Sequence, residues 1–339
     1  MEGLLKRDVE VFAAGRPRSE FVKRHESLLG DRLYTVPLRN EIDLFSVNTL
    51  AGIIKRHGID IIHAHTSHAH TLACLIRTFS GKSKVIVSRR VDFVPKSKWI
   101  NQKKYSWPDH YVAISNAIKK ILVEFGVSDG RLSMVHSAID PIRFNVRPVE
   151  RDEFGIAQNA FVWGNVGNLV GHKDHATLIR GFGEVVKKNA NTVLCIVGPG
   201  PLRSELKQLS DELGLEDHVK FLGYRDDVPN LLKMFDGFVM SSKEEGLGTS
   251  VLDAMASGLP VVGTSAGGIP EMVKDKQTGL LAETQNPLQL GAKMLEMMSQ
   301  KDLRASVVER ATQMIEEEYL VDRMVDGNLA VYNAVLNDN

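Results

Sequence analysis

Residues 237–263 read GFVMSSKEEGLGTSVLDAMASGLPVVG. Phe238-Val239-Met240 has the length and apolar character of a buried strand, and Leu259 to Val262 repeats it. Between them, Val251, Leu252 and Met255 form one helical stripe. A strand, a loop, a helix and a second strand in so short a span specify a βαβ unit with parallel strands. Folding gains nothing from Glu245, Gly246 and Gly248 at the end of a buried strand, so the loop reads as a ligand loop. The glycines permit close backbone approach. The amides from Leu247 through Gly248, Thr249 and Ser250 to Val251 would face an anion at the helix start. Glu245, just outside, suits hydroxyl groups. The plainer reading of Ser250 and Asp253 is an S-x-x-D capping box, in which Asp253 only satisfies a backbone donor. Glu244, beside Lys243, reads as solvated.

The alternation continues in both directions. Strands are expected at 161–167, 191–200, 218–223, 237–242, 259–265 and 278–283, with helices at 174–189, 202–214, 250–257, 287–298, 301–316 and 319–336. In the first half, strands are expected at 9–15, 32–38, 60–65, 84–90, 110–115 and 131–136, with helices near 45–57, 69–80, 98–106 and 115–126. Polar, proline-containing residues 141–158 read as a connection. The fold class is therefore α/β, with two Rossmann-like doubly wound domains, residues 1–150 and 151–320, facing a cleft, and a terminal helix over 321–339 returning toward the first domain.

The formal net charge is zero, but residues 1–150 carry 24 Lys+Arg against 15 Asp+Glu (+9), and residues 151–339 carry 18 against 27 (−9). A basic half suits an anionic bilayer or phosphorylated acceptor; it equally suits attraction between the two halves. Cys74 and Cys195 sit in apolar runs and read as core thiols of a reducing compartment. No apolar run reaches membrane-spanning length, and residues 1–30 have no signal-like stretch, so a cytoplasmic protein is expected, with the inner membrane face left open.

The segment SSKEEGLGTSVLDAMASGLPVVGTSAGGIPEMVKDKQTGLL (241–281) resembles the nucleotide-sugar site of the family 4 retaining glycosyltransferases, which have the GT-B fold. Their Glu, seven residues, Glu pattern is matched by Glu245 and Asp253. The resemblance implies that Glu245 contacts donor-sugar hydroxyls and that Asp253, one methylene shorter, holds the ribose. GNVGNLVGHKDHATLIRGF (164–182) is similar to the first donor-domain loop, which gives Lys173 the diphosphate and places Asn168 where many members have an arginine. Arg225 is a possible substitute cation. CIVGPGPLRSELKQL supplies Gly198, Gly200 and Leu202 for the loop floor, and Phe221, Leu222 and Gly223 would meet the base. G-x-G-x-x-G is absent from both loops, against a dinucleotide oxidoreductase.

DIIHAHTSHAH holds His63, His65, His68 and His70, without the cysteine or carboxylate that would complete a recognised metal pattern. No metal is assigned, and the resemblance puts His65 near the acceptor. Arg89, Arg90 and Asp92 follow a strand; the resemblance implies a place near the transferred sugar for Arg90, which would stay charged there. Lys96, Lys98, Lys103 and Lys104 with Trp99, Tyr105 and Trp107 read as an interfacial membrane face, or as a charged helix with aromatics packed inward. No nucleic-acid module accompanies them.

The resemblance implies a retaining transferase that moves a sugar from a nucleotide-diphosphate sugar to a hydroxyl acceptor of lipid-linked, lipopolysaccharide or polysaccharide type, with no obligatory cofactor. A GT-B nucleotide-sugar epimerase is the other enzymatic reading. A non-catalytic nucleotide-sugar- or partner-binding protein is the third, because the resemblance also implies an opening strand and Gly-rich loop ahead of the residues matched by VEVFAA.

Overall fold

The computed structural model describes residues 1–90 and 99–338, and side chains other than those of 99–101. It divides into two compact units. One holds the described residues up to His136 and those from Val321 onward; the other is Ser137–Leu320.

The first unit has six parallel strands in two sheets. β1 (Ala13–Gly15) pairs with β2 (Leu33–Thr35). β3 (Ile61–Ala64), β4 (Lys84–Arg89), β5 (His110–Ala113) and β6 (Leu132–Met134) form the second sheet in that order. Helices Leu44–His57 and Ser67–Ser80 start on Asp43 and Thr66, whose side chains accept from the Ser46 and Ala69 N–H groups at 3.2 and 3.1 Å. Helix Val321–Asn337 packs Val331 and Val335 on Ile86, Val112 and Val135 of this unit. Patterning missed helix Glu20–Leu29, which buries Val22 and Leu29 and starts on Ser19.

The second unit contains one six-stranded parallel sheet. Its strands are β7 (Phe161–Val166), β8 (Thr192–Val197), β9 (Val219–Gly223), β10 (Gly237–Met240), β11 (Val261–Thr264) and β12 (Leu280–Ala282), ordered β12-β11-β10-β7-β8-β9. The order reverses between β7 and β10, the switch point at which doubly wound sheets bind ligands beyond their carboxyl ends. Trp163, Leu194, Ile196, Val239 and Val262 build a core with Leu178, Phe182, Leu290 and Met294.

Residues 141–158 do not form a free connection. They contain short 3-10 turns, Pro141–Phe144 and Arg151–Phe154, seated within the second unit. Phe144 and Ile156 are buried. Arg151 donates to the Gln158 and Ala160 carbonyls at 3.0 and 2.9 Å and pairs with Asp236 at 2.8 Å. A polar composition hid this because two of the cation's partners, the Met234 carbonyl and Asp236, are distant in sequence.

Candidate active site

The loops after β7 and β10 meet through Lys173 and Glu245. The Lys173 ammonium makes a short ion pair with Glu245 Oε2, and both side chains are mostly buried. Ser242 Oγ donates to the same carboxylate oxygen at 3.2 Å, and Thr264 Oγ1 donates to the Ser242 carbonyl at 2.5 Å. Ser241 Oγ donates to the Lys173 carbonyl at 2.9 Å. Strand-end hydroxyls thus fix the residues on both sides of the pair.

Glycines let this backbone close up. A Cβ at Gly267 would lie 1.8 Å from the Glu245 carbonyl oxygen, and one at Gly268 would lie 2.5 Å from that of Gly246. The Gly268 N–H donates to the Glu245 carbonyl at 3.1 Å. Across the site, a Cβ at Gly198 would fall 2.1 Å from the Gly167 carbonyl oxygen and one at Gly200 would fall 2.4 Å from that of Leu169. The Gly198 N–H reaches the Gly223 carbonyl at 2.7 Å and the Leu202 N–H reaches the Leu169 carbonyl at 3.2 Å. Gly198, Gly200 and Leu202 therefore join the loop of Asn168 and Lys173 to the end of β9, where Phe221, Leu222 and Gly223 lie.

Helix Thr249–Ala256 begins on Gly248, whose φ of +88° only glycine adopts without strain. This overturns the capping-box expectation: Ser250 lies inside the helix and makes no cap bond. Asp253 is instead half-buried, and its carboxylate has no hydrogen-bond donor among the described residues. Burial raises its pKa to about 6, with Arg143 partly opposing. Arg225 is no spare cation: its guanidinium forks onto Asp227 at 2.8 and 2.5 Å.

In the first unit the four histidines part company. His63 is bonded at both nitrogens, to Tyr332 at 2.6 Å and Ser88 at 2.9 Å. His70 is buried against Tyr105 and Tyr111, with the Lys104 carbonyl 3.2 Å from Nε2. No group of three or more metal-ligating side chains occurs among the described residues. His65 packs its ring, tilted, against His63 with centroids 4.2 Å apart and lines a cavity with Arg90. Crowding of its ring, then the Arg90 charge, lowers the His65 pKa to about 4, although the residue keeps an exposed face. Arg89 points inward to the Tyr105 hydroxyl and is buried. The membrane face loses two members. Tyr105 is buried, stacked on Tyr111 at 5.8 Å, and Lys104 pairs with Glu41 at 3.1 Å. Asp92, Lys96 and Lys98, and the Trp99 side chain, lie outside what is described.

Two family descriptions cover this chain nearly end to end: Glycosyltransferase Family 4 matches residues 1–143, and Glycosyl transferases group 1 matches residues 146–314. The chain is a GT-B glycosyltransferase. This glycosyltransferase is 26% identical over 321 residues to the N-acetyl-alpha-D-glucosaminyl L-malate synthase of Bacillus anthracis, covering 88% of this chain and 80% of the relative. It is 27% identical over 260 residues to the UDP-Gal:alpha-D-GlcNAc-diphosphoundecaprenol alpha-1,3-galactosyltransferase of Escherichia coli, covering 71% and 67%. The crystal structure of Anabaena Alr3699/HepE in complex with UDP shares its fold at a TM-score of 0.78 and 20% identity, over 92% of this chain and 89% of that one.

Sequence reasoning missed the supports beneath the glycosyltransferase's site. Buried Asn165 donates to the Val239 carbonyl at 2.8 Å, tying β7 to β10, and His175 Nε2 lies 3.0 Å from Asn165 Oδ1. Burial, then the Lys173 and His172 charges, lowers the His175 pKa to about 4, so its ring is neutral at pH 7. The available signal was two polar residues in otherwise apolar stretches flanking the lysine loop.

Proposed function

We propose that this glycosyltransferase moves a sugar from a nucleotide-diphosphate sugar to a hydroxyl on a lipid-linked, lipopolysaccharide or polysaccharide acceptor, with retention at the anomeric carbon. The observation that carries this reading is the Lys173–Glu245 pair, held by strand-end hydroxyls between loops too close-packed for side chains. In the free protein each charge satisfies the other. Donor entry would exchange that contact for diphosphate on Lys173 and sugar hydroxyls on Glu245. The names of the relatives support the substrate classes: one is named for a UDP-sugar and an undecaprenol-linked acceptor, and the Anabaena structure holds UDP.

As the bond from the anomeric carbon to the phosphate oxygen lengthens, negative charge grows on the diphosphate. Lys173 and the amides at the start of helix Thr249–Ala256 would stabilise it. Asp253, ionised above pH 6, would accept from the ribose hydroxyls. The acceptor oxygen attacks from the face that the phosphate leaves, and the phosphate oxygen takes the acceptor proton, so no protein base is required. His65, neutral at pH 7, and Arg90 would serve the acceptor side as hydrogen-bonding and charged groups respectively.

A panel of uridine, guanosine and adenosine diphosphate sugars, each with and without a polyprenyl-diphosphate sugar acceptor, tests this reading. Acceptor-dependent release of nucleoside diphosphate is expected, with the anomeric proton coupling unchanged between donor and product. Conversion of the donor without acceptor would instead establish an epimerase. Binding without turnover would establish a non-catalytic protein.

A further inference from the structure

Three large apolar side chains stand in solvent within four residues of one another, where the loop after β2 enters helix Leu44–His57. Ile42, Leu44 and Phe45 are each 65–68% exposed, whereas Val36 before them and Val47 after them are buried. Single exposed apolar residues are ordinary, but three at one tip form a patch. The helix already turns Ser46, Val47 and Ala51 inward, so its packing face is complete without Leu44 and Phe45. Folding therefore gains little from the three.

The tip is held in shape. The buried Asp43 carboxylate accepts from the Arg39 N–H at 3.0 Å, the Ser46 N–H at 3.2 Å and the Ser46 hydroxyl at 2.9 Å. Ser46 Oγ in turn accepts from the Leu38 N–H at 3.1 Å, and Arg16 Nε donates to the Leu38 carbonyl at 3.0 Å. Leu38 has a φ of +44°, which leucine rarely adopts. These bonds stabilise a backbone that is costly to form, and that backbone carries the apolar residues outward. The charges beside them are one-sided. Glu41 is taken up by Lys104 and Thr71, each at 3.1 Å, and Asp43 by the bonds above. Arg16, Arg39 and Lys103 are exposed and make no ion pair among the described residues. Lys104 also donates to the Ser67 carbonyl at 3.3 Å, which seats the loop on the first turn of helix Ser67–Ser80.

We propose that Ile42, Leu44 and Phe45 enter the interfacial layer of an anionic lipid bilayer, with Arg16, Arg39 and Lys103 on its headgroups. The apolar contribution comes from this loop and not from the aromatics near Lys103, since Tyr105 is buried and Trp107 half-buried. A small projecting tip offers a protein partner too little area for a stable interface. Lipid headgroups rearrange around such a tip, and apolar insertion together with cations is the pair of signals that stable surface attachment requires. The helix on which the loop rests begins two residues after His65, so attachment would place the unit that carries His65 and Arg90 at the bilayer surface. The attachment does not depend on the transfer reaction.

The test is cosedimentation of the 339-residue protein with vesicles of phosphatidylcholine, alone or mixed with phosphatidylglycerol. Binding to the mixed vesicles should exceed binding to the neutral ones by about tenfold. Changing Ile42→Gln, Leu44→Gln and Phe45→Gln together should weaken binding to the mixed vesicles by about tenfold or more, with far-ultraviolet dichroism unchanged. Lys55→Gln with Arg56→Gln, at the other end of the same helix, should bind as the parent does. If the triple variant fails to fold, Leu44→Cys carrying a polarity-sensitive fluorophore replaces it, because Cys74 and Cys195 are buried and the new thiol reacts first. Its emission should shift to the blue on mixed vesicles, and the same label on Lys55→Cys should not shift. Absence of binding, or a folded triple variant that binds as the parent does, would overturn the proposal. So would binding lost with the Lys55 and Arg56 changes and kept with the triple change, which would mark diffuse charge attraction. Equal binding to both vesicles would overturn the role given to the cations. Self-association of the parent that the triple change abolishes, without vesicle binding, would overturn the proposal and give the tip to a second copy of the chain.

Discussion

The two units of this protein are both built on parallel strands but differ in continuity. In the second unit, six strands form a continuous ladder, and the chemistry sits where its order reverses. In the first, the ladder is broken into two strands and four, and β1 and β3 keep part of their apolar surface in reach of water. The continuous sheet holds Lys173 and Glu245 by hydroxyls, glycines and a buried Asn–His link. The divided one presents His65 and Arg90 at the wall of a cavity. Functional side chains are therefore rigidly founded in one unit and less so in the other.

The largest effect should come from the founded site. Glu245→Ala should lower kcat by about 10²–10³-fold with far-ultraviolet dichroism unchanged, and Lys173→Ala should do likewise. Normal turnover of either variant with an accepted donor would break the contrast at its stronger side. Next comes stability. Ile196→Ala, at a fully buried position of β8, should cost about 2–5 kcal/mol, whereas Ile61→Ala, at a half-buried position of β3, should cost less than half of that. Equal losses in urea titrations would show that β3 is as well packed as β8.

A finer test uses pH. Asp253 titrates near 6 when folded and at about 4 when unfolded, so the folded protein keeps a proton that the unfolded chain releases between those values. Its contribution to stability therefore falls as pH rises from about 4 to 6. Donor affinity should move the opposite way over the same range, because the ionised carboxylate is the better acceptor for ribose hydroxyls. Asp253→Asn should flatten both slopes, as read by denaturant titration and donor binding. The smallest effect belongs to exposed Lys103: Lys103→Gln should shift stability by less than about 0.5 kcal/mol, and cosedimentation with anionic vesicles will read any contribution to surface attachment.

Most of this architecture was readable because apolar runs of strand length alternate with amphipathic ones, and the glycine-rich stretch after β10 marks a ligand loop by chemistry alone. Glu245, Gly246 and Gly248 stood out for that reason, whereas Lys173 was singled out through the resemblance of residues 164–182, and only folding shows that it meets Glu245. What escaped depends on partners distant along the chain. Ser250 and Asp253 spell a cap, but Gly248 occupies the helix start because its positive φ is needed there. Arg151 and Asp236, or Asn165 and His175, mean little until folding joins them. Tyr105 and Lys104 looked interfacial by composition, and tertiary packing turned them inward.

Each unit also carries a single sulfhydryl. Cys74 belongs to the first and Cys195 to the second, and burial pushes their pKa values up to about 11 and about 12, leaving almost no thiolate at neutral pH. Alkylation must then wait for each neighbourhood to open, so the native chain contains two clocks, one for each unit. The reagent should claim Cys74 first, and the ratio of the two labelling rates would express the inequality between the sheets as a free energy of local opening.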